Sequence, residues 1–175
     1  MSKQFFSVLV IACSTLLAAC NPTYNWRDYS SPDAPYRVMF PAKPASHTRA
    51  VDLNGLKVDM TMTAAEVEGV TFAVGTGTAP GPARAQAALG DMKTALLRNL
   101  GAKVQRESAA AASAAGTAQS SIDIDALGKT NGRPIMLRGH FAAKGNRFYQ
   151  VIVMGPEKSV ATEQVDQFIS SFKPL

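Results

Sequence analysis

The chain has 175 residues, a formal net charge of +5 and two cysteines, Cys13 and Cys20. This length fits one domain, and the basic residues are scattered instead of forming the basic stripe that nucleic-acid binding needs. Both cysteines lie within the first 20 residues, which leaves the rest of the chain without a disulfide or a cysteine metal site. Composition therefore predicts a small domain that is stabilised by packing and does not bind nucleic acid.

The N-terminal segment has the organisation of a secretory signal peptide. Lys3 gives it a positive start, and the apolar run at 5–19 is shorter than the roughly 20 residues that a membrane-spanning helix needs. The stretch Leu17-Ala18-Ala19-Cys20 resembles the bacterial lipobox, a signal in which the cysteine is lipidated and becomes the first residue of the mature chain. We therefore predict a lipoprotein signal peptide at 1–19 and lipidation (palmitate) at Cys20.

The residue after the lipobox cysteine predicts the compartment. By resemblance to Gram-negative lipoproteins, Asn21 in place of aspartate implies the outer membrane, with the domain facing the periplasm. The membrane is contacted through lipidated Cys20, and more than one acyl chain makes such an anchor stable. Residues 20–34 are predicted to be the lipidated cysteine and a polar tether, and residues 35–175 a single domain.

Aromatic residues cluster near the predicted lipid anchor, in the tether and at the start of the domain. These side chains suit either the lipid headgroup layer or a partner, and the alternative is that Trp26 and Tyr36 cap the edge of the folded domain. The aromatic residues are Tyr24, Trp26, Tyr29 and Tyr36.

Four turn signals divide the domain into strands. They are Asn54-Gly55, Glu68-Gly69, Asn131-Gly132 and Gly145-Asn146, and asparagine and glycine suit two-residue hairpins because they tolerate positive φ. Strand-like segments flank these turns. They lie at 36–40, 57–64, 70–76, 120–126, 134–143 and 147–154.

Two segments have helical periodicity. The first runs from Pro82 to Leu100, and the second runs from Glu163 to Ser171 with apolar residues at i, i+3, i+4 and i+7. The alanine-rich stretch 109–118 is compatible with helix, strand or loop. We predict an α+β fold, in which an antiparallel β-sheet of two hairpin-rich meanders is covered by two helices.

The turns at 131–132 and 145–146 also set a register for three strands. This register places Asp123 opposite His140 and Asp125 opposite Arg138. One face, predicted to lie under the helices, collects Ile122, Ile124, Leu137, Phe141, Ile152 and Met154. The other face, predicted to be exposed to solvent, collects Asp123, Asp125, Arg138, His140, Tyr149, Val151 and Val153.

Four stretches of the domain form a recognisable set of motifs: YRVMFPAKP at 36–44, NGRP at 131–134, RFYQVIVMG at 147–155 and FISSFK at 168–173. Together they resemble uncharacterised bacterial secreted domains that are similar to the PsbP-like α/β/α sandwich. The resemblance implies a PsbP-like sandwich and a docking or accessory role, and it supplies no catalytic residues. The alanine-rich stretch departs from the pattern.

The sharpest polar group is a candidate binding face on the predicted strands. It indicates a recognition surface or a His–Asp acid/base pair, and the alternative is ordinary cross-strand ion pairing worth about 0.2–1 kcal/mol per pair. No serine or cysteine nucleophile is marked by a motif beside it. The residues are Asp123, Asp125, Arg138, His140 and Tyr149.

Two weaker motifs have structural alternatives. The run from Gly75 to Pro82 precedes a helix but lacks the Gly-Lys-Ser/Thr ending of a phosphate loop, so a connecting loop is predicted. Met60 and Met62 lie on one strand face with Met62 opposite His47, which suggests a Cu(I) site; the alternative is core packing. No metal or other cofactor is therefore predicted.

The sequence as a whole predicts a non-enzymatic outer-membrane lipoprotein that acts as a periplasmic binding or assembly-accessory module. An envelope protein is the expected partner. The alternatives are a lipoprotein that binds a small molecule or a metal and a hydrolase that uses His140 and Asp123.

Overall fold

The computed structural model describes residues 23–110 and 119–175. The predicted signal peptide, Cys20 and most of the alanine-rich stretch lie outside these residues. The described part contains ten strands and two helices. They are β1 (Arg27–Ser30), β2 (Tyr36–Phe40), β3 (Ala45–Leu53), β4 (Leu56–Val67), β5 (Val70–Thr78), α1 (Pro82–Asn99), β6 (Lys103–Ala110), β7 (Gln119–Thr130), β8 (Arg133–Lys144), β9 (Arg147–Pro156), α2 (Thr162–Ser171) and β10 (Lys173–Pro174).

The strands form two separate sheets. Seven strands make an antiparallel sheet in the order β3-β4-β5-β9-β8-β7-β6, and three make a small sheet in the order β1-β2-β10. In the large sheet, the meander β3–β5 and the meander β6–β9 meet where β5 pairs with β9. Helix α1 connects the two meanders along the chain.

The predicted fold, one sheet covered by two helices in a PsbP-like sandwich, is wrong. Strands account for 57% of the described residues and helices for 19%, and a separate three-stranded sheet stands beside the seven-stranded one. The two helices also pack differently from the prediction, because α1 contacts β7, β8, β9 and β3, whereas α2 contacts β2 and β9. The small sheet was missed because β1 and β10 have only 4 and 2 residues, too few for a periodic pattern.

The predicted hairpins and their register are confirmed. Asn131 and Gly132 have φ angles of 51° and 76°, the left-handed conformation that a type I′ turn requires at both central positions. The β7–β8 register pairs Asp123 with His140 and Asp125 with Arg138, as the turn position predicted. Side-chain alternation then fixes the face of the sheet on which each residue lies.

Apolar cores lie on both faces of the large sheet. The core beneath α1 includes the buried residues Met60, Ala85, Leu89, Met92, Ile124, Leu137, Phe141, Phe148 and Ile152. The core beneath α2 and the small sheet includes Tyr36, Val38, Phe40, Phe72, Val74, Tyr149, Val151, Val153, Val165 and Phe168. The second face of the sheet is therefore open to solvent only in part, which corrects the predicted exposure of Tyr149, Val151 and Val153.

The helix boundaries are close to the predicted ones, whereas β4 and β7 extend to Val67 and Thr130, beyond the predicted segments 57–64 and 120–126. Helix α1 ends at Asn99 and α2 begins at Thr162, each within one residue of the prediction. Strand β6 was not predicted, because its sequence KVQRESAA is exposed throughout and has no apolar alternation. Neither helix in the described ranges combines the length and apolar character that a bilayer-spanning segment requires.

Candidate functional site

Polar side chains gather on one side of helix α2, on a face of β6, β7 and β8 that the helix covers only in part. Arg106 on β6, Asp125 on β7 and Arg138 on β8 lie in one cross-strand row. Asp123 and His140 lie in the neighbouring row on the same face, because side chains two residues apart point the same way. We call this surface the ion-pair shelf. Its members are Arg106, Asp123, Asp125, Arg138, His140 and Asp166 of α2.

A chain of ion pairs crosses the shelf from the sheet edge to the helix. Arg106 Nη2 lies 2.6 Å from Asp125 Oδ2, and Arg138 Nε lies 2.8 Å from Asp125 Oδ1. Arg138 Nη1 also donates to Asp166 Oδ1, which ties strand β8 to helix α2. Charge-assisted bonds of this kind are stronger than neutral ones, and here they fix the guanidinium of Arg138 between two carboxylates.

A second pair joins His140 to Asp123. Nδ1 of His140 lies 2.7 Å from Asp123 Oδ1, and a carboxylate acceptor requires the proton on that nitrogen. The imidazole also faces Phe172, with ring centroids 6.0 Å apart. The side chain of His140 is 18% exposed and that of Asp123 is 49% exposed, so the carboxylate is the more accessible member.

The shelf borders an open hollow of about 400 Å³. Gly139 and Ile169 contribute to its surface, and Ser108 lies on its outer side on strand β6. The wall therefore combines fixed charges of both signs with a small apolar area. This combination suits contact with a polar, charged ligand or with a polypeptide surface.

Tyr149 does not belong to the shelf, although the sequence placed it on the binding face. Its ring is fully buried in the core beneath α2, and its hydroxyl donates to the carbonyl of Pro35 at 3.2 Å. Burial raises the pKa of Tyr149; the positive charge of Arg147 lowers it by a smaller amount, and Tyr36 adds a small increase. The residue therefore connects β9 to the segment before β2, a structural role.

The structure adds two residues to the group that the sequence predicted. Arg106 was missed because β6 has no strand pattern, although its position opposite Asp125 follows from the register. Asp166 was missed because its partner lies on a strand 28 residues earlier. A weak signal for Asp166 exists, since it directly follows the buried Val165 in α2 and so lies near the edge of the packed helix face.

The glycine-rich run at 75–82 and the Met60/Met62 pair both lie within strands of the large sheet or directly after them. Gly75 and Gly77 belong to strand β5, so only the end of the glycine-rich run is a connecting loop. Met62 lies opposite His47, as predicted, and Met60 is buried in the core beneath α1. Within residues 23–110 and 119–175 there is no group of three or more His, Cys, Asp or Glu side chains placed to hold a metal ion.

Aromatic residues of the predicted tether pack onto the domain. Tyr24 and Trp26 stack with ring centroids 6.1 Å apart, and both lie edge-on to Phe72. Tyr36 is buried with 1% exposure, whereas Trp26 remains half-buried at the margin of the same core. Tyr24 and Trp26, which lie within the predicted tether, therefore pack against the core beneath α2.

Comparison with known proteins adds little to this description. No protein-family model and no curated protein matches the chain. Among solved structures, it is similar to the crystal structure of PA94 from Pseudomonas aeruginosa, a protein of unknown function described as a putative regulator. The two share 12% sequence identity over 81% of this chain and 94% of that chain, with a TM-score of 0.39. A similarity at this level carries no implication for function.

Proposed function

We propose that this protein is a lipid-anchored outer-membrane lipoprotein whose ion-pair shelf docks an envelope partner on the periplasmic side. The anchor follows from the lipobox that ends at Cys20 and from Asn21 after it. The first described strand begins at Arg27, so only a few residues separate the domain from the lipidated cysteine. An extended chain of about six residues spans at most roughly 20 Å, which holds the domain close to the membrane.

The observation that carries the docking role is the fixed position of the charges on the shelf. Asp125 and Arg138 have side chains only 25% and 21% exposed, and their mutual contacts hold them in one geometry before any partner arrives. Arg106, at 75% exposed, presents a guanidinium at the sheet edge. Preorganised charges of both signs favour recognition of a complementary charged surface and exclude mismatched ones.

The geometry of the ion-pair shelf supports docking better than it supports hydrolysis. Ser108, Asp123 and His140 lie in one cross-strand row, but the carboxylate stands between the hydroxyl and the imidazole. A Ser–His–Asp arrangement needs the imidazole in the middle, in contact with the hydroxyl. Two strand spacings separate Ser108 from His140, about 10 Å, which is too far for proton transfer between them.

The docking role is tested by site-specific photo-crosslinking in cells. A photoreactive amino acid at the exposed Ser108 position should give one defined crosslinked species, because this position borders the hollow. The control is the same amino acid at Thr48, which is exposed on the opposite edge strand β3. Arg106→Glu should abolish the species formed from position 108. A species that persists in Arg106→Glu, or forms equally from position 48, would contradict docking at the shelf.

The anchor is tested separately by mass spectrometry of the purified envelope protein. The expected N-terminal peptide begins at Cys20 and carries acyl chains. The Cys20→Ser variant should not be acylated. Detection of an unmodified Cys20 inside an intact N-terminal segment would refute the anchor and leave the docking test unaffected.

A further inference from the structure

A second concave region lies on the opposite face of the large sheet, between helix α1 and the edge strand β3. We call it the methionine cleft. It is open to solvent and has a volume of about 430 Å³, within the range of roughly 300–1,000 Å³ that is usual for small-molecule sites. Its apolar surface is formed by Met60, Met62, Met92, Leu96 and Ile152.

A glycine beneath the cleft allows the methionines to lie side by side. A Cβ atom at Gly75 would collide with the methyl group of Met60 and come within 2.5 Å of the sulfur of Met62. Both thioethers therefore occupy the space that a side chain on β5 would fill. Methionine side chains are flexible and polarizable, so this surface can adapt to an apolar ligand such as an alkyl chain.

Gln150 is a buried polar side chain within this apolar surface. It lies on the central strand β9, it is 8% exposed, and it lines the cleft. None of the side-chain hydrogen bonds formed among the described residues involves it. Because Gln150 lines the open cleft, its amide is positioned to form a hydrogen bond with a polar atom of a ligand.

The mouth of the cleft carries two arginines. Arg49 comes from β3 and Arg98 from α1; both are exposed, and neither forms an ion pair with a described residue. Asp52 is the acidic residue of the lining, and its carboxylate accepts the backbone N–H of Gly55 at 2.6 Å. Two arginines against one aspartate leave a net positive charge at the entrance of the cleft.

We propose that the methionine cleft binds an acyl-chain amphiphile with an acidic headgroup. The alkyl chain lies on the methionines, the acidic group pairs with Arg49 and Arg98, and Gln150 donates a hydrogen bond to an oxygen near the headgroup. A free fatty acid and an anionic phospholipid both have this chemistry. The inference does not depend on the ion-pair shelf, which lies on the other face of the sheet.

Photo-crosslinking of the full chain in zwitterionic lipid nanodiscs tests this site. Three probes carry the same photoactivatable tail: a fatty acid, an anionic phosphatidylglycerol and an alkyl trimethylammonium ion. Mass spectrometry then locates the label along the chain. Either anionic probe should label the segments at 49–62 and 92–99 about five-fold more than the cationic probe, since two exposed charge pairs contribute at this level. The stronger of the two anionic probes identifies the source of the ligand.

Three variants separate binding from general membrane contact. Arg49→Gln/Arg98→Gln should lower anionic labelling about five-fold and remove the preference for the anionic head. Gln150→Met nearly conserves volume and should lower labelling about five-fold through the lost hydrogen bond while the domain stays folded by circular dichroism. Arg84→Gln, which changes an exposed arginine of α1 outside the cleft, should have no effect. Equal labelling by the cationic probe, label outside the cleft, or unchanged labelling in the double variant would overturn the proposal.

Discussion

The two faces of the seven-stranded sheet are covered by different kinds of side chain. Beneath α2 and the small sheet, aromatic rings contact one another in a continuous network: Phe168, for example, lies 5.4 Å from Phe40 and from Phe72 between ring centroids. Beneath α1 the core is mainly aliphatic and contains Met60 and Met92. Rings with fixed geometry fill the space between layers on the α2 face, whereas flexible methionines beside Gly75 line an open cleft on the α1 face.

The polar residues of the ion-pair shelf on the α2 face and of the methionine cleft on the α1 face also differ in how far they are paired. On the α2 face, the charged residues of the ion-pair shelf satisfy one another, as Asp125 does with two arginines. On the α1 face, Gln150 and the arginines at the cleft mouth have no such partners among the described residues. The first arrangement suits a preformed surface for a macromolecule, and the second suits a site that a ligand completes.

The largest expected effect comes from removing an aromatic ring of the α2 face. Phe168→Ala should lower the free energy of unfolding by about 3–5 kcal/mol, because its fully buried ring joins α2 to both sheets. Met92→Ala, at 2% exposure on the other face, should cost about 2 kcal/mol, since neighbouring side chains can move into the space beside the cleft. Urea unfolding of both variants measures the difference, and equal costs would contradict the contrast between the two cores.

Replacing a glycine by alanine tests how tightly the α1 face is packed at a position outside the cleft. A Cβ atom at Gly77 would overlap the ring of Phe148, which is fully buried, so Gly77→Ala should destabilise the domain by about 1–3 kcal/mol. The matched control is Gly90→Ala within α1, where no atom lies within 4 Å of the added Cβ. That change should stabilise the domain by about 1 kcal/mol through helix propensity. Thermal or urea unfolding that shifts both variants in the same direction would refute this account.

The parts of the fold that could be predicted are those specified by local sequence. The turn at Asn131-Gly132 and strict side-chain alternation on β7 and β8 determine the register, and the Asp123–His140 and Asp125–Arg138 pairs follow from it. The two helices have clear starts and stops, so their bounds were predicted within one residue. Signals of this kind act over a few residues and survive in any tertiary context.

The features that were missed depend on distant parts of the chain. The small sheet forms because β1 and β10 both pair with β2, and β10 lies more than 130 residues after β2. Asp166 joins the shelf through a contact with a strand 28 residues earlier, and Arg106 was missed because its strand β6 has no apolar alternation. The second core has a local signal in β9, whose sequence RFYQVIVMGP is an almost continuous apolar run that is typical of a strand buried on both faces. This run could have placed Tyr149 in a second core.

Two arginines of the ion-pair shelf differ in burial, and we expect their substitution to change stability by different, smaller amounts. Arg138→Gln should lower the free energy of unfolding by about 1–3 kcal/mol, because it removes charged hydrogen bonds from two carboxylates and its side chain is only 21% exposed. Arg106→Gln, at 75% exposure, should change stability by roughly 0.5 kcal/mol or less. Urea unfolding at low salt distinguishes them. If Arg106→Gln proved the more destabilising variant, the edge of the shelf would carry a structural role that this geometry does not predict.

The smallest effect concerns the pH dependence of the aromatic core. Burial raises the pKa of Tyr149 above its ordinary value of 10.0, so the folded state holds the phenolic proton more tightly than the unfolded state. Stability from this residue is therefore fully present below about pH 10 and is lost as the pH rises through the raised value, because the unfolded phenol ionises first. Tyr149→Phe removes this dependence. It should cost about 1 kcal/mol at neutral pH through the lost hydrogen bond to Pro35, and it should lose less stability than the wild type between about pH 9 and pH 11.

The matched control for this measurement is Tyr29→Phe, since the ring of Tyr29 packs in the same aromatic core but stays half-buried at its margin. The midpoint of urea unfolding at pH 7 and at about pH 10.5 gives the alkaline loss for each protein. Tyr149→Phe should show a smaller alkaline loss than Tyr29→Phe, because only the first variant removes a hydroxyl enclosed between β9 and the segment that contains Pro35. Equal losses in the two variants would mean that water reaches the Tyr149 hydroxyl before the domain unfolds, and its burial would then make no contribution to the pH dependence of stability.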